Sequence, residues 1–365
     1  MNNKKEPLFR VSKKDDTSLP KKILIIGLAI IIALIVSAIF IYFITKLDPI
    51  SVYSSMFKGA FGTTKRTWIT IRDTCLLLLI SLALAPVFKM RFWNCGAEGQ
   101  VLIGGLTTAA IMIYFGNKVP TIILLIVMLV VSGLAGGIWA YLPAHFKAKY
   151  NTNETLFTLM MNYVAIQIIE FFVDFWDKKQ SHSVGIINMN TRGAWFPSVF
   201  GQQYFINVLI VLIVTAFVYI YMRYSKYGFE VAVVGESEAT AKYAGINVPK
   251  VIKKNVFISG FIAGIAGFVE VSGISHTISK QTAGGKGFTA IIVCWLGKFN
   301  PFLMALISLL ITFLNKGANQ ISSDFGLNEY ASNIISGIIL FFILGSEFFI
   351  NYEVNINKHK QEEKV

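Results

Sequence analysis

From Ile23 to Ile44 the chain runs through 22 residues without one charged side chain. A hydrocarbon layer about 30 Å thick is crossed by about 20 helical residues. Backbone groups inside it must pair within their own segment, so a run of this kind folds as a helix. Further apolar runs lie near 69–88, 99–115, 120–143, 154–173, 204–222, 255–275, 287–297, 300–316 and 331–350, the third and the eighth of the ten being short. A membrane β-barrel would instead present short alternating segments. With 55% hydrophobic and 15% charged residues, a water-soluble domain has too little polar surface to cover such a core. The expected fold is an all-α polytopic membrane protein with about ten transmembrane helices. The first run exceeds a signal-peptide core and ends at Thr45-Lys46-Leu47-Asp48 without a small-residue cleavage pattern, so it reads as a retained span.

The net charge of +13 does not point to nucleic acid, because the basic residues sit in short clusters beside apolar runs rather than along one soluble face. Ten spans put both ends on one side. Placing that side in the cytoplasm gives it 21 Lys and Arg against 10 on the other, with Arg72 and Lys316 inside spans. The positive-inside rule then predicts N-in and C-in. The expected organisation is a cytoplasmic tail at 1–22, a transmembrane domain at 23–350 with a cytoplasmic loop at 224–254, and a cytoplasmic tail at 351–365. Cys75, Cys95 and Cys294 are odd in number and widely spaced; they suggest buried apolar residues rather than disulfides or a zinc site.

Gly133-Leu-Ala-Gly-Gly137 and Ser259 to Gly267 space small residues four apart, a pattern that lets helix backbones approach closely. Segments 96–105 and 284–287 are Gly-rich and polar beside short apolar runs, and read either as broken helices around a path or as ordinary turns. Asn94-Cys-Gly-Ala-Glu-Gly-Gln100 joins the second and third spans. Its Asn94, Glu98 and Gln100 favour a structural polar network over direct solute contact. At the fifth span Asn153 is a candidate N-cap and Glu154 suits the positive helix end. Thr155, Thr158 and Asn162 share a face there, with Asn162 expected to bond a neighbouring helix rather than line a pore. Glu270 lies six residues before His276, and position near the interface is favoured over a proton relay.

Gly284-Gly-Lys-Gly287 fails the phosphate-loop pattern because position 280 is Lys. No dinucleotide fingerprint, metalloprotease motif or nucleophile elbow is present, and four His leave little for metal chemistry. No catalytic residue, metal or cofactor is expected. One polar stretch stands out inside the apolar chain. Between Gly235 and Gly245, Glu236-Ser-Glu-Ala-Thr-Ala-Lys-Tyr-Ala244 has helix formers with acids in its first turn. A helix of about two and a half turns is too short to stand alone, so it is expected to dock on a partner.

At these residues the chain resembles the membrane subunit of a bacterial ABC importer, in the branch serving simple sugars and nucleosides and related to ribose and branched-chain amino-acid permeases. Asn94–Gln100 matches the Asn-Ile-Gly-Ala/Val-Glu-Gly-Gln of that group with Cys95 for Ile, and Asn153–Tyr163 matches its Asn-Glu-Val-Ile-Ser-Thr-Leu-Met-Leu-Asn-Tyr. Val234–Ile246 matches Val-Gly-Glu-Asn-Pro-x-Ala-Ala-x-Tyr-Ala-Gly-Ile, with Ser237, Glu238 and Thr240 departing from it. Ser259–Gly267 matches a Ser-Gly-x-x-Ala-Gly-x-Ala-Gly motif, and Gly287–Gly297 a later stretch in which Thr289 replaces Asp and Ala290 replaces Gly. The resemblance covers roughly residues 20–350.

It implies a type II ABC importer-like permease in the bacterial cell membrane. The loop carrying Gly235, Glu236, Ser237, Ala241, Tyr243 and Gly245 would be the coupling helix held by a cytoplasmic ABC ATPase. Asn94, Glu98, Gln100, Asn153, Glu154, Thr158 and Asn162 would serve the translocation path or its polar network. The implied assembly adds a second permease subunit (homo- or heterodimer) and an extracellular substrate-binding lipoprotein, with ATP bound by the ATPase alone. The rival is an ion-gradient-driven secondary transporter of small polar solutes. It would call for paired intramembrane acids or a site of unwound carbonyls, and the sequence offers no convincing pair.

Overall fold

The computed structural model describes residues 9–13, 19–177 and 183–356. Parts of both expected tails, 1–8, 14–18 and 357–365, lie outside the described residues, as do 178–182. The chain divides into two compact units, residues 1–63 with 313–365, and residues 64–312.

In the first unit, strand β1 (Phe9–Lys13) precedes helix α1 (Leu19–Phe40), which widens into a π-helical turn at Ile41–Thr45. Helix α2 (Pro49–Phe61) starts where Asp48 accepts from Ser51 N at 2.9 Å and Pro49 supplies a first residue that has no N–H to lose. Its small residues lie against the last part of α12, where Gly317 meets Met56.

The second unit holds α3 (Thr64–Lys89), α4 (Ala97–Phe115), α5 (Thr121–Tyr150), α6 (Glu154–Trp176), α7 (Phe205–Tyr224), α8 (Lys226–Glu236), α9 (Glu238–Tyr243), α10 (Val248–Glu270, continued as a π turn to Ser275) and α11 (Lys286–Leu296). Helix α12 (Pro301–Phe325) begins in the second unit and ends in the first. Helix α13 (Glu329–Asn351) packs on α1 and leads into β2 (Tyr352–Ile356). Strands β1 and β2 pair antiparallel, Phe9 opposite Ile356 and Lys13 opposite Tyr352.

Among the described residues nine helices are long and apolar enough to cross a membrane. The eighth expected span, 287–297, is corrected. It is the 11-residue α11, whose length of about 16 Å reaches only half of a hydrocarbon layer. The expected docking helix over 236–244 is corrected too, because the chain breaks at Ser237 and the helix proper is the six-residue α9.

Helices α3 and α10 form the centre of the second unit, each buried over 78% of its most apolar window. Leu76 to Phe88 of α3 are buried without a gap, as a helix apolar on all sides requires. Helix α10 packs on α5, α4 and α3. Gly104, Gly136 and Gly264 meet there, and a Cβ on Gly264 would overlap the Ser132 carbonyl. Backbone-to-backbone approach of this kind is how membrane helices gain contact without help from water. Outward faces such as Ile122, Ile126 and Ile138 of α5 are exposed, as lipid-facing residues are.

Candidate functional site

After α3 the backbone leaves helical geometry, with Arg91 at φ 59°, and runs extended into α4. Non-helical backbone beside apolar helices needs partners for its N–H and C=O groups. Side chains of the neighbouring helices supply them. Asn162 of α6 accepts from Gly99 N at 2.8 Å through Oδ1 and donates to the Cys95 carbonyl at 2.8 Å through Nδ2. Thr158, one turn earlier, accepts from Cys95 N at 3.1 Å. Asn94 is fully buried; its Oδ1 accepts from Gly96 N at 3.0 Å and from Gln100 Nε2 at 3.1 Å, and its Nδ2 reaches Ser259 Oγ of α10 at 3.5 Å.

Glu98 points another way. Its carboxylate accepts from Gly285 N at 2.7 Å and Gly287 N at 2.8 Å, the first-turn donors of α11. An anion at the positive end of a helix is charge-assisted, and both oxygens are used. Gly287 makes this approach possible, because a Cβ there would lie 2.5 Å from Glu98 N. Beside it Lys286 Nζ stands 3.9 Å from Glu270 Oε2, a partner invisible in the sequence around Glu270. Thr289, in place of the family acid, donates back to the Gly285 carbonyl at 3.2 Å.

The path of residues 276–296 explains why α11 is short. At one end the His276 ring stacks on Trp195 at 3.7 Å and the His276 carbonyl accepts from Ile187 N at 2.8 Å, within the loop that precedes α7. At the other end Trp295 stacks on Trp93 at 5.4 Å and meets Phe88 edge-on at 6.0 Å, at the end of α3. The passage therefore runs from the loop before α7 to the end of α3 as an irregular stretch followed by a half-helix.

The two sets of expected site residues occupy different places. Asn94, Glu98, Gln100, Thr158 and Asn162 converge at the start of α4. Asn153 and Glu154 stand apart: Asn153 caps α6 by accepting from Leu156 N at 3.1 Å, and Glu154 pairs with Lys147 at 3.0 Å. Gly235, Glu236, Ser237, Ala241, Tyr243 and Gly245 surround α9. Ser237 Oγ accepts from Thr240 N at 3.2 Å, and Gly245 at φ 75° ends the helix with Ile246 N bonded to the Ala241 carbonyl at 3.0 Å. Ala241 is buried while Tyr243 is 94% exposed, so α9 rests on one small residue and offers its other faces outward. Around it, Lys254 sits over the Tyr227 ring at 2.8 Å and Tyr221 Oη bonds Asn255 Oδ1 at 2.7 Å, tying α8 and α7 to α10. Sequence reasoning missed Ser259, Gly285, Gly287 and Lys286 as site residues; a glycine cluster opening a short apolar run was the available signal.

The sequence pattern of the branched-chain amino acid transport system permease component matches residues 68–344. The chain belongs to this permease family. Over 326 residues it is 29% identical to the guanosine ABC transporter permease protein NupP of Bacillus subtilis, covering 87% of this chain and 92% of the relative. It is 27% identical to the glucose ABC transporter permease protein TsgB13 of Haloferax volcanii, over 85% of this chain and 84% of that one. It is 28% identical to a second Bacillus subtilis protein, the guanosine ABC transporter permease protein NupQ, over 61% of this chain and 72% of the relative. No solved structure matches the chain. The permease is thus the membrane subunit of an ABC importer, a multi-pass protein of the cell membrane and not itself an enzyme. As one component of a transport system it acts together with partner subunits.

Proposed function

We propose that this permease carries nucleosides inward, with sugars of similar size as the second class, and that a separate cytoplasmic ATPase drives it through α9. The observation that carries the coupling is the form of α9: six residues capped by Ser237 and closed by Gly245, exposed on all but Ala241, yet joined to α8, which packs on α3, α7 and α10, and resting on α10 itself. A helix too short for independent stability that is held this firmly suits a lever gripped from outside. Nucleoside specificity is supported by likeness to NupP over most of both chains, and two such relatives named for guanosine in one organism favour a paired partner permease. ATP stays with the ATPase, and a binding protein outside the cell delivers solute. Both termini belong in the cytoplasm. The pairing of β1 with β2 favours an even number of crossings, the tenth being the broken passage through 276–296.

In this scheme the chain lowers the barrier for a polar solute without covalent chemistry. Coupling residues take up motion from the ATPase, and the polar hub keeps irregular backbone satisfied while helices shift. The test is uptake of radiolabelled guanosine into proteoliposomes holding the permease, its partner permease and the ATPase. ATP-dependent uptake that survives collapse of ion gradients is expected; uptake that follows an ion gradient and ignores ATP sinks the reading. Replacing residues 236–244 with a Gly/Ser linker should abolish co-purification of the ATPase.

A further inference from the structure

Residues 89–98 touch the coupling segment at one end and grip α11 at two points. At the start, the backbone of Lys89 and Met90 lies so close to Gly235 that a Cβ on Gly235 would overlap the Lys89 carbonyl. Trp93 then stacks on Trp295 near the C-terminal end of α11. Glu98 holds the N-terminal end through Gly285 N and Gly287 N. The stretch between has little slack. Phe92 N bonds the Val87 carbonyl at 3.0 Å, Asn94 N the Phe92 carbonyl at 3.0 Å, and both backbone groups of Cys95 are held by Thr158 and Asn162.

We propose that residues 89–98 form a strap that passes movement of the coupling segment to the half-helix α11, with Glu98 as its positioning residue. The inference rests on the coupling role given to α9. A half-helix ending inside a membrane has first-turn donors that need a partner, and a carboxylate on a neighbouring segment meets that need only at one register. Gripped at both ends, α11 moves with the strap as a body. Where Gly235 pushes on Lys89, nothing compressible lies between, because the contact is backbone on backbone. Lys286 and Glu270 add a tether from α10 that limits the travel.

Two measurements separate the strap from the functional reading. ATP-dependent guanosine uptake by the unmodified complex tests function by itself. Against that background Glu98→Gln and Gly235→Ala are each expected to lower guanosine imported per ATP hydrolysed by about tenfold. Glu98→Asp, which keeps the charge, should recover part of the loss. If both act along one strap, the double variant is no worse than the poorer single. Losses that multiply, or a Glu98→Gln ratio equal to the unmodified one, overturn the proposal. Should Glu98→Gln fail to co-purify with the ATPase, Glu98→Asp takes its place in the cycle. Independently of transport, amide exchange at 284–287 in the purified permease should quicken by about tenfold in Glu98→Gln; unchanged exchange would show that the carboxylate does not hold α11.

Discussion

Asn162 illustrates how one side chain answers for a stretch of irregular backbone. Its amide satisfies a buried N–H and a part-buried C=O, so truncation strands two groups at once. Asn162→Ala should cost about 2–5 kcal/mol of stability in detergent, counting one unmet bond at each group. Asn162→Asp keeps the acceptor for Gly99 but sets a second oxygen against the Cys95 carbonyl, so it should not rescue. Thermal unfolding of the two variants checks both statements.

Among the elements, the glycine meeting of α4, α5 and α10 is a place where a single methyl group has nowhere to go. Gly264→Ala sets Cβ against the Ser132 backbone, which cannot rotate away as a side chain does. A loss of about 1–3 kcal/mol in thermal stability is expected. Helix α9 responds differently, because it is a local element. Ser237→Ala removes its cap at about 1 kcal/mol and should weaken ATPase binding about fivefold while leaving the unfolding of α3 and α10 unchanged. These elements also mark what hydropathy reads and what it overlooks. Long apolar helices were legible because each announces itself within one window. Helix α11 shows as a short apolar run because its 11 residues are apolar, while the other half of the passage, Ser275 to Gly285, is polar and carries no such signal. The break at Ser237 was hidden for a related reason: Ser is acceptable inside a helix and better as a cap, and only the packing of Ala241 chooses. At the hub the residue types were legible and the pairing was not. Glu98 and its partners lie 187 and 189 residues apart, beyond any local pattern.

For the whole molecule the question is how many times the chain crosses the membrane. Nine long helices alone would leave the two ends on opposite sides, yet β1 and β2 are hydrogen-bonded neighbours. The broken passage through 276–296 reconciles the two if it counts as a crossing, since it runs from the loop before α7, whose last residue Tyr204 lies under Arg72 near the start of α3, to Trp93 beyond the end of α3. Single cysteines in a background lacking Cys75, Cys95 and Cys294 decide the matter with an impermeant maleimide. Val11, Glu238 and Tyr352, all exposed, should label together from the cytoplasmic side, and Lys280 from the outer side alone. Labelling of Val11 and Tyr352 from opposite faces would remove the tenth crossing. The pairing of the ends has its own check, because Ser12 and Glu353 face each other across the ladder. Ser12→Cys with Glu353→Cys should cross-link under mild oxidation in intact membranes, whereas Ser12→Cys with Tyr352→Cys, one register step away and on the other face of the ribbon, should cross-link far less.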